Sequence, residues 1–468
     1  MVFSSSEFLF FFLPVVLAVY YGLLRARGTR NYFLTIVSLI FYAWGEPWFV
    51  FIMLLSIAFN WLCALQIDRR RGTSGSKAWL TVTVAGNLAL LGTFKYLMFI
   101  LKNINWAFSA HLPVPNILLP IGISFFTFQA MSYVIDVYRG HGRVQTNFMN
   151  VCLYVSFFPQ LIAGPIVRYQ TIADEIGGRA ECMDDFIRGA RRFMVGLGKK
   201  VILANSLALL VDNAFAHAPS ELSVGAAWLG AIGYLWQVYY DFSGYSDMAI
   251  GMGWMFGFHF LENFDYPMIS RSITEFWRRW HISLGSWFRD YLFIPLGGSR
   301  VKSVWRLLFN MFVVWSLTGL WHGASWNYIF WGVGFFALLA FERLTGLSKK
   351  LDKQPMGIFY AMIAVITITV MIRSNSLGYA AGFIGSMYGV NASGFWDATA
   401  SLYVREYGVF VALALLIGLP LGKFFREKLH VPEPAFEIVS AVGLVAVFVI
   451  SVSYIVMGGY NPFIYFNF

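Results

Sequence analysis

Charge is what this 468-residue sequence has least of. Asp, Glu, Lys and Arg make up 12% of it, against about 25% in a soluble domain. Such a chain has too little charge to cover a water-facing surface, which excludes an ordinary soluble protein. Cysteine is also scarce. Cys63, Cys152 and Cys182 have no metal-ligand or CxxC spacing, so they carry no metal or redox argument, and the first two sit in apolar runs as packing residues. HExxH and any Cys/His cluster are missing, which argues against zinc. GxSxG is missing, which argues against a serine hydrolase, and so are the P-loop and GxGxxG. Met1 to Glu7 has no basic stretch, and no small-residue cleavage site follows the apolar run from Phe8 to Leu24. That run is therefore expected to be a retained first helix. No internal repeat or low-complexity tract occurs.

What is present is apolar and aromatic. Hydrophobic residues reach 58% and aromatics 19%, with 47 Phe and 17 Trp. The long apolar runs are punctuated by Gly, Pro and single polar residues, as in helices packed in a bundle. The expectation is an all-α polytopic integral membrane protein, one domain over 1–468, with about ten to twelve membrane helices plus re-entrant and interfacial pieces. The net charge of +10 fits a positive-inside bias with contact to anionic lipid. Nucleic-acid binding would need a basic soluble surface, and none is visible.

Basic loops orient the chain. Arg25, Arg27 and Arg30 follow the first run, and Asp68-Arg69-Arg70-Arg71 follows the third. Both mark the cytoplasmic side, so the N-terminus is predicted outside. Helices are predicted over about 8–24, 31–45, 48–67 and 78–101, the last with Lys95 as an irregularity. Ile117 to Tyr138 opens on Leu119-Pro-Ile-Gly-Ile-Ser124 and is predicted to be a broken helix. Phe148 to Val167 reads as a re-entrant or tilted piece. In Arg168 to Lys200, Phe186, Ala190, Phe193 and Leu197 recur at helical spacing, which predicts an amphipathic helix on the cytoplasmic face. Val201 to Ala216 and Val224 to Phe258 are predicted spans, the latter carrying Asp241 and Asp247. Asn263 to Arg300 is predicted to hold a short amphipathic helix pair, with Thr274 as N-cap, a Glu275–Arg279 ion pair, and Trp277 and His281 on one face at i,i+4. Helices over about 304–320 and 326–341 would place His322 at their turn, away from the cytoplasmic surface. Glu342, Arg343, Lys349, Lys350 and Lys353 would end the second one inside. Spans over about 358–372, 408–421 and 436–457 complete the set. Lys423, Arg426 and Lys428 are predicted inside, and the loop 375–406 and the tail 461–468 outside.

The chemistry centres on Thr318-Gly-Leu-Trp-His-Gly-Ala-Ser-Trp326. A titratable imidazole between two apolar runs is costly and is a functional candidate by default. Gly319, Gly323, Ala324 and Ser325 remove bulk, so a substrate or another helix can approach the ring. His281 and His322 each follow a tryptophan, Trp280 and Trp321. An imidazole withdrawn from bulk water stays neutral and can accept a proton, which suits a general base for acyl transfer. A histidine that only holds helices together is the alternative. Asp241 and Asp247 either orient a histidine or pair with a basic residue. Arg278, Arg279 and Arg289, with Arg191 and Arg192, either hold phosphates or contact lipid headgroups.

The sequence resembles the membrane-bound O-acyltransferase family, in its bacterial branch that acetylates exopolysaccharides such as alginate or cellulose. The resemblance rests on Leu119 to Ser124, Leu161-Ile-Ala-Gly-Pro165, Tyr240-Asp-Phe-Ser-Gly-Tyr-Ser-Asp-Met-Ala-Ile-Gly251, Thr274-Glu-Phe-Trp-Arg-Arg-Trp-His-Ile-Ser-Leu284, Phe288-Arg-Asp-Tyr291, Pro295-Leu-Gly-Gly298, Leu320-Trp-His-Gly323 and Pro462-Phe-Ile-Tyr465. It implies a ring of helices around a funnel, with His322 as the essential histidine in a tunnel and His281 at the second signature position. Trp280, Trp321, Arg278, Arg279, Arg289, Asp290, Asp241 and Asp247 would be supporting or donor-binding residues. It implies no tightly bound cofactor and no metal. The donor would be cytoplasmic acetyl-CoA. The partners would be a periplasmic SGNH-type acetyltransferase and other subunits of a polysaccharide-synthesis complex. The D-alanyl-transfer branch, a flippase exporting an acetylated or lipid-linked precursor, and a scaffold for a synthase complex are the other readings.

Overall fold

The computed structural model describes residues 1–162, 164–421 and 433–462. Among these the chain is helical, with no strand. Eight helices are long and apolar enough to cross a membrane: Phe49–Arg69, Ser74–Phe108, Met183–Ala216, Val304–His322, Trp326–Thr345, Met356–Arg373, Ala398–Ile417 and Pro434–Val456. The expected ten to twelve included Arg27–Gly45, Ile123–Arg139 and Val224–Met255. These are helices as expected, but they are not among the eight, and Ile123–Arg139 is only 17 residues long. Lys423, Arg426 and Lys428, Ala163, and the tail motif beyond Pro462 lie outside the described residues.

The chain packs as two compact units, 1–193 with 245–261, and 194–244 with 262–468. In the first unit, buried rings of Phe3, Phe8, Phe12, Phe41 and Phe158 contact one another. Asn60 and Asn87 join the third and fourth helices by two reciprocal amide bonds of 3.1 and 2.8 Å, the kind of polar glue that holds helices together in lipid. Glu181 gathers Arg27, Arg30 at 3.0 Å, Arg179 at 3.5 Å and the Tyr20 hydroxyl. Ile123–Arg139 starts only after Gly122, whose φ of +75° is left-handed, and residues 117–122 are not helical, so the segment is a helix with a late start and not the broken helix expected. Lys95 sits in a π-helical turn, Gly92–Tyr96, and its Nζ donates to Ser124 Oγ at 3.1 Å. Phe148–Ser156 stops well short of Val167, as expected of an incomplete span.

Other expectations are corrected. The amphipathic segment is helical from Met183, but it continues without interruption to Ala216, so it is the first half of a 34-residue helix. Nothing between Lys199 and Ala204 breaks the backbone ladder there; a π-helical turn carries it through. The predicted loop 375–406 contains the helix Leu377–Met387, capped by Ser376, and the next helix already starts at Ala398, capped by Asp397. Thr274 is not the N-cap. Ser272 Oγ accepts from the Glu275 amide, while the Thr274 hydroxyl and the amides of Ile273 and Thr274 donate to the buried Glu342 carboxylate. That carboxylate satisfies the open amides at a helix N-terminus.

The second unit has an apolar core of Leu207, Leu210, Val211 and Ala214 against Ala227, Ala231 and Tyr234, extended by Val365, Val370 and Phe383. Phe276, Trp280, Trp331 and Phe335 belong to the same core, which fixes the region around both histidines.

Candidate active site

Val304–His322 ends on His322, and Gly323 then turns the chain in an extended conformation toward Trp326–Thr345. His322 therefore lies at the turn of a helix pair, as predicted. The small residues serve that pair: a Cβ on Gly319 would strike the Tyr328 carbonyl, one on Gly332 the Trp315 carbonyl, and one on Gly323 the Tyr328 ring. The close approach they permit is that of a helix.

His322 is 7% exposed. Its Nδ1 lies 2.7 Å from the Thr318 carbonyl oxygen. A carbonyl can only accept, so Nδ1 carries the hydrogen, and in the neutral ring Nε2 carries the lone pair. The rings of Trp321 and Trp331 flank the imidazole, each with its centroid 5.0 Å away. His281 lies 6.4 Å away, ring centre to ring centre, at 80°.

His281 is 1% exposed. It is not on one helical face with Trp277, because the helix Ile273–Arg279 ends before it and His281 takes a left-handed φ of +45° ahead of Ile282–Phe288. Trp277 instead packs on Trp315 and Phe335. The His281 Nδ1 is 3.2 Å from Asn263 Oδ1, and its Nε2 is buried without a hydrogen-bond partner among the described residues. Phe242 meets the ring edge to face at 4.6 Å, and Trp321 lies 6.1 Å away. Burial, and then the neighbouring His322, hold the His281 imidazole well below its ordinary range, so it is neutral at pH 7.

The structure thus brings His322, His281 and Trp321 together. Trp280 follows a different course, stacking on Phe276 at 5.3 Å within the apolar core. Arg278, Arg279 and Arg289 line a separate cavity of about 840 Å³, together with Arg343 and Lys349. Arg279 is tied to Glu275 and Asp265, and Arg289 to Asp290. Arg278, Arg343 and Lys349 carry no ion pair among the described residues and remain available to an anion. Asp241 forms a buried ion pair with Lys200 at 2.6 Å, and Asp247 one with Arg192 at 2.9 Å. Asn263, Thr318, Phe242, Trp331, Arg343 and Lys349 escaped the sequence reading as site residues. Thr318 was within reach, four residues before His322 at the spacing that joins side chain and carbonyl on a helix. The others are placed by distant contacts.

In a nearly dry aromatic pocket, each imidazole has its Nδ1 directed at an acceptor, so that in the neutral ring Nε2 can take a proton from a hydroxyl or thiol. This is the equipment of a general base.

Comparison with known proteins gives the reaction class. The family model described as MBOAT, membrane-bound O-acyltransferase family, matches residues 8–377. A probable alginate O-acetylase of Pseudomonas putida is 39% identical over 100% of both chains. One from Azotobacter vinelandii is 43% identical over 83% of this chain and 78% of its own. A peptidoglycan O-acetyltransferase of Helicobacter pylori is 36% identical over 84% of this chain and 80% of its own. With several helices apolar enough to cross a membrane, the chain is a multi-pass membrane enzyme, an O-acyltransferase belonging to the membrane-bound O-acyltransferase family.

Proposed function

We propose that the protein O-acetylates an extracellular polysaccharide, taking the acetyl group from cytoplasmic acetyl-CoA across the inner membrane to a periplasmic SGNH-type partner. The observation that carries the chemistry is the His322 ring, buried and pinned through Nδ1 to Thr318 so that Nε2 is a proton acceptor. His322 Nε2 takes the proton of the acceptor hydroxyl as its oxygen attacks the thioester carbonyl. The tetrahedral intermediate collapses with cleavage of the C–S bond, and the imidazolium returns its proton to the departing thiolate. His281 supplies a second proton acceptor beside it. The cavity with Arg278, Arg343 and Lys349 suits the phosphates of the donor. The names of the relatives support acetyl transfer to a polysaccharide, and which polymer is modified is a matter for the partner.

The test is reconstitution in vesicles with the periplasmic partner and acetyl-labelled CoA. Label should reach the partner and polymer. His322→Ala should lower transfer by about 10²–10⁴-fold, the range for a lost general base, without loss of the folded protein. Undiminished transfer by His322→Ala overturns the catalytic assignment. Passage of an intact acetylated precursor with no cleavage of CoA supports a flippase instead, and transfer of D-alanine in place of acetyl supports the D-alanyl branch.

A further inference from the structure

His281 carries an unfavourable backbone conformation in the middle of the site. Its φ of +45° is left-handed, a region unfavourable for a non-glycine residue. Asn263, 18 residues upstream, holds this turn. Asn263, 1% exposed, accepts the Ile282 amide on its main-chain carbonyl at 3.0 Å. Its side-chain oxygen faces three groups of the same turn: the Ser283 amide at 3.2 Å, the Ser283 hydroxyl at 2.9 Å and His281 Nδ1 at 3.2 Å.

The Ser283 amide is a donor without ambiguity. The amide group of Asn263 must therefore present its oxygen, because its NH₂ would set donor against donor. The Ser283 hydroxyl, 3.5 Å from His281 Nδ1, donates to that oxygen at the shorter distance of 2.9 Å, so the oxygen 3.2 Å from Nδ1 favours a hydrogen on Nδ1. The hydrogen leaves Nε2 with its lone pair, and Nε2 is the buried atom that has no partner among the described residues. An unsatisfied buried nitrogen is costly, and a donor group arriving in the site would recover that cost.

We propose that Asn263 is a positioning residue for acyl transfer, locking His281 in the Nδ1–H tautomer so that Nε2 meets the incoming hydroxyl or thiol as an acceptor. This rests on the acyl-transfer reading of the two histidines. Asn263 itself touches no reacting atom. It acts through the ring of His281, and Ser283 shares its oxygen and keeps it turned.

Three measurements test it. In the unsubstituted protein labelled with ¹⁵N-histidine, with His281→Gln used to assign the resonance, the His281 ring should show a protonated Nδ1 and an unprotonated Nε2. A protonated Nε2 overturns the proposal, and this readout stands whether or not His322 proves catalytic. Asn263→Ala should lower kcat about tenfold to a hundredfold, the scale for losing an outer group that orients a functional histidine, with KM for the acetyl donor unchanged. Unchanged kcat overturns the proposal. Asn263→Asp keeps the acceptor oxygen and should restore most of kcat, but its carboxylate favours the imidazolium, so the acid limb of the pH–rate profile should move up by about one pH unit or more. A role confined to holding the turn would leave that limb where it was, and an unmoved limb overturns the proposal. The ¹⁵N measurement needs no variant of Asn263, so it decides the question even if Asn263→Ala does not fold.

Discussion

At the scale of residues, the site depends on which nitrogen of each imidazole holds the hydrogen. Both Nδ1 atoms are committed, one to Thr318 and one to Asn263, which leaves two acceptors in an aromatic pocket. For His281, burial and the nearby His322 both oppose the charged form. Its neutral, proton-accepting state therefore persists below the ordinary imidazole value near 6.5. Acyl transfer should stay level as pH falls from 8 to 6.5 and decline only below that; a decline centred at or above 6.5 in the unsubstituted enzyme would contradict the depressed value. Glu181 works in the opposite sense. Burial alone would raise its carboxyl, but the hydrogen bonds from Arg27 and Tyr20 and the charges of Arg27 and Arg179 bring it down to about 2. Its folded value lies below its ordinary value of 4.5, so its contribution to stability is complete above pH 4.5 and is lost between 4.5 and 2. Glu181→Gln should flatten that part of the stability profile. At pH 7 it should cost about 3 kcal/mol, because it leaves several guanidiniums without their shared carboxylate. Thermal unfolding in detergent at a series of pH values reads both effects.

At the scale of elements, the helix pair that carries His322 is set by its glycines. Gly319 and Gly332 each face a backbone carbonyl of the other helix, at a separation that leaves no room for a Cβ. Backbone cannot move aside as a flexible side chain can, so Gly319→Ala should destabilise the protein by about 1–3 kcal/mol, even though alanine is the better helix former by about 1 kcal/mol. A detergent melting curve unchanged or raised in this variant would show the pair to be looser than its geometry. The same elements show how far the sequence could be read. Two apolar runs broken by Trp-His-Gly predicted a helix pair with His322 at the turn, because period and length are local properties. Trp277 and His281 had helical spacing too, yet the helix stops between them, for the reason lies 18 residues upstream in Asn263. Ser272 and Thr274 are equally good caps by type; Glu342, 68 residues downstream of Thr274, decides between them by taking the Thr274 hydroxyl for itself. The arginines of the cavity were legible as a cluster near His281, whereas Arg343 and Lys349 were legible only as markers of sidedness, since a basic residue after a helix reads the same whether or not it lines a cavity.

At the scale of the whole molecule, membrane class followed from the shortage of charge, and most span positions from the apolar runs. The number of spans was harder to read, because a helix such as Val224–Met255 is long enough to cross but carries Asp241 and Asp247, which are paired with the distant Lys200 and Arg192. Sidedness was argued from basic loops, and the first unit ties that argument to a native probe. Arg27 and Arg30 belong to the first basic loop, and both pair with Glu181. Cys182 is the next residue and is exposed, while Cys63 and Cys152 are buried. The thiol of Cys182 must therefore open on the same side of the membrane as that loop. If the positive-inside rule orients the chain with its N-terminus in the periplasm, a membrane-impermeant maleimide should modify Cys182 in inverted inner-membrane vesicles and leave it unmodified in intact spheroplasts. Mass spectrometry should find one adduct per chain, on the peptide containing Cys182 and not on those containing Cys63 or Cys152. Modification from the periplasmic side would reverse the orientation of the basic loop, and with it the side from which the acetyl donor is proposed to enter.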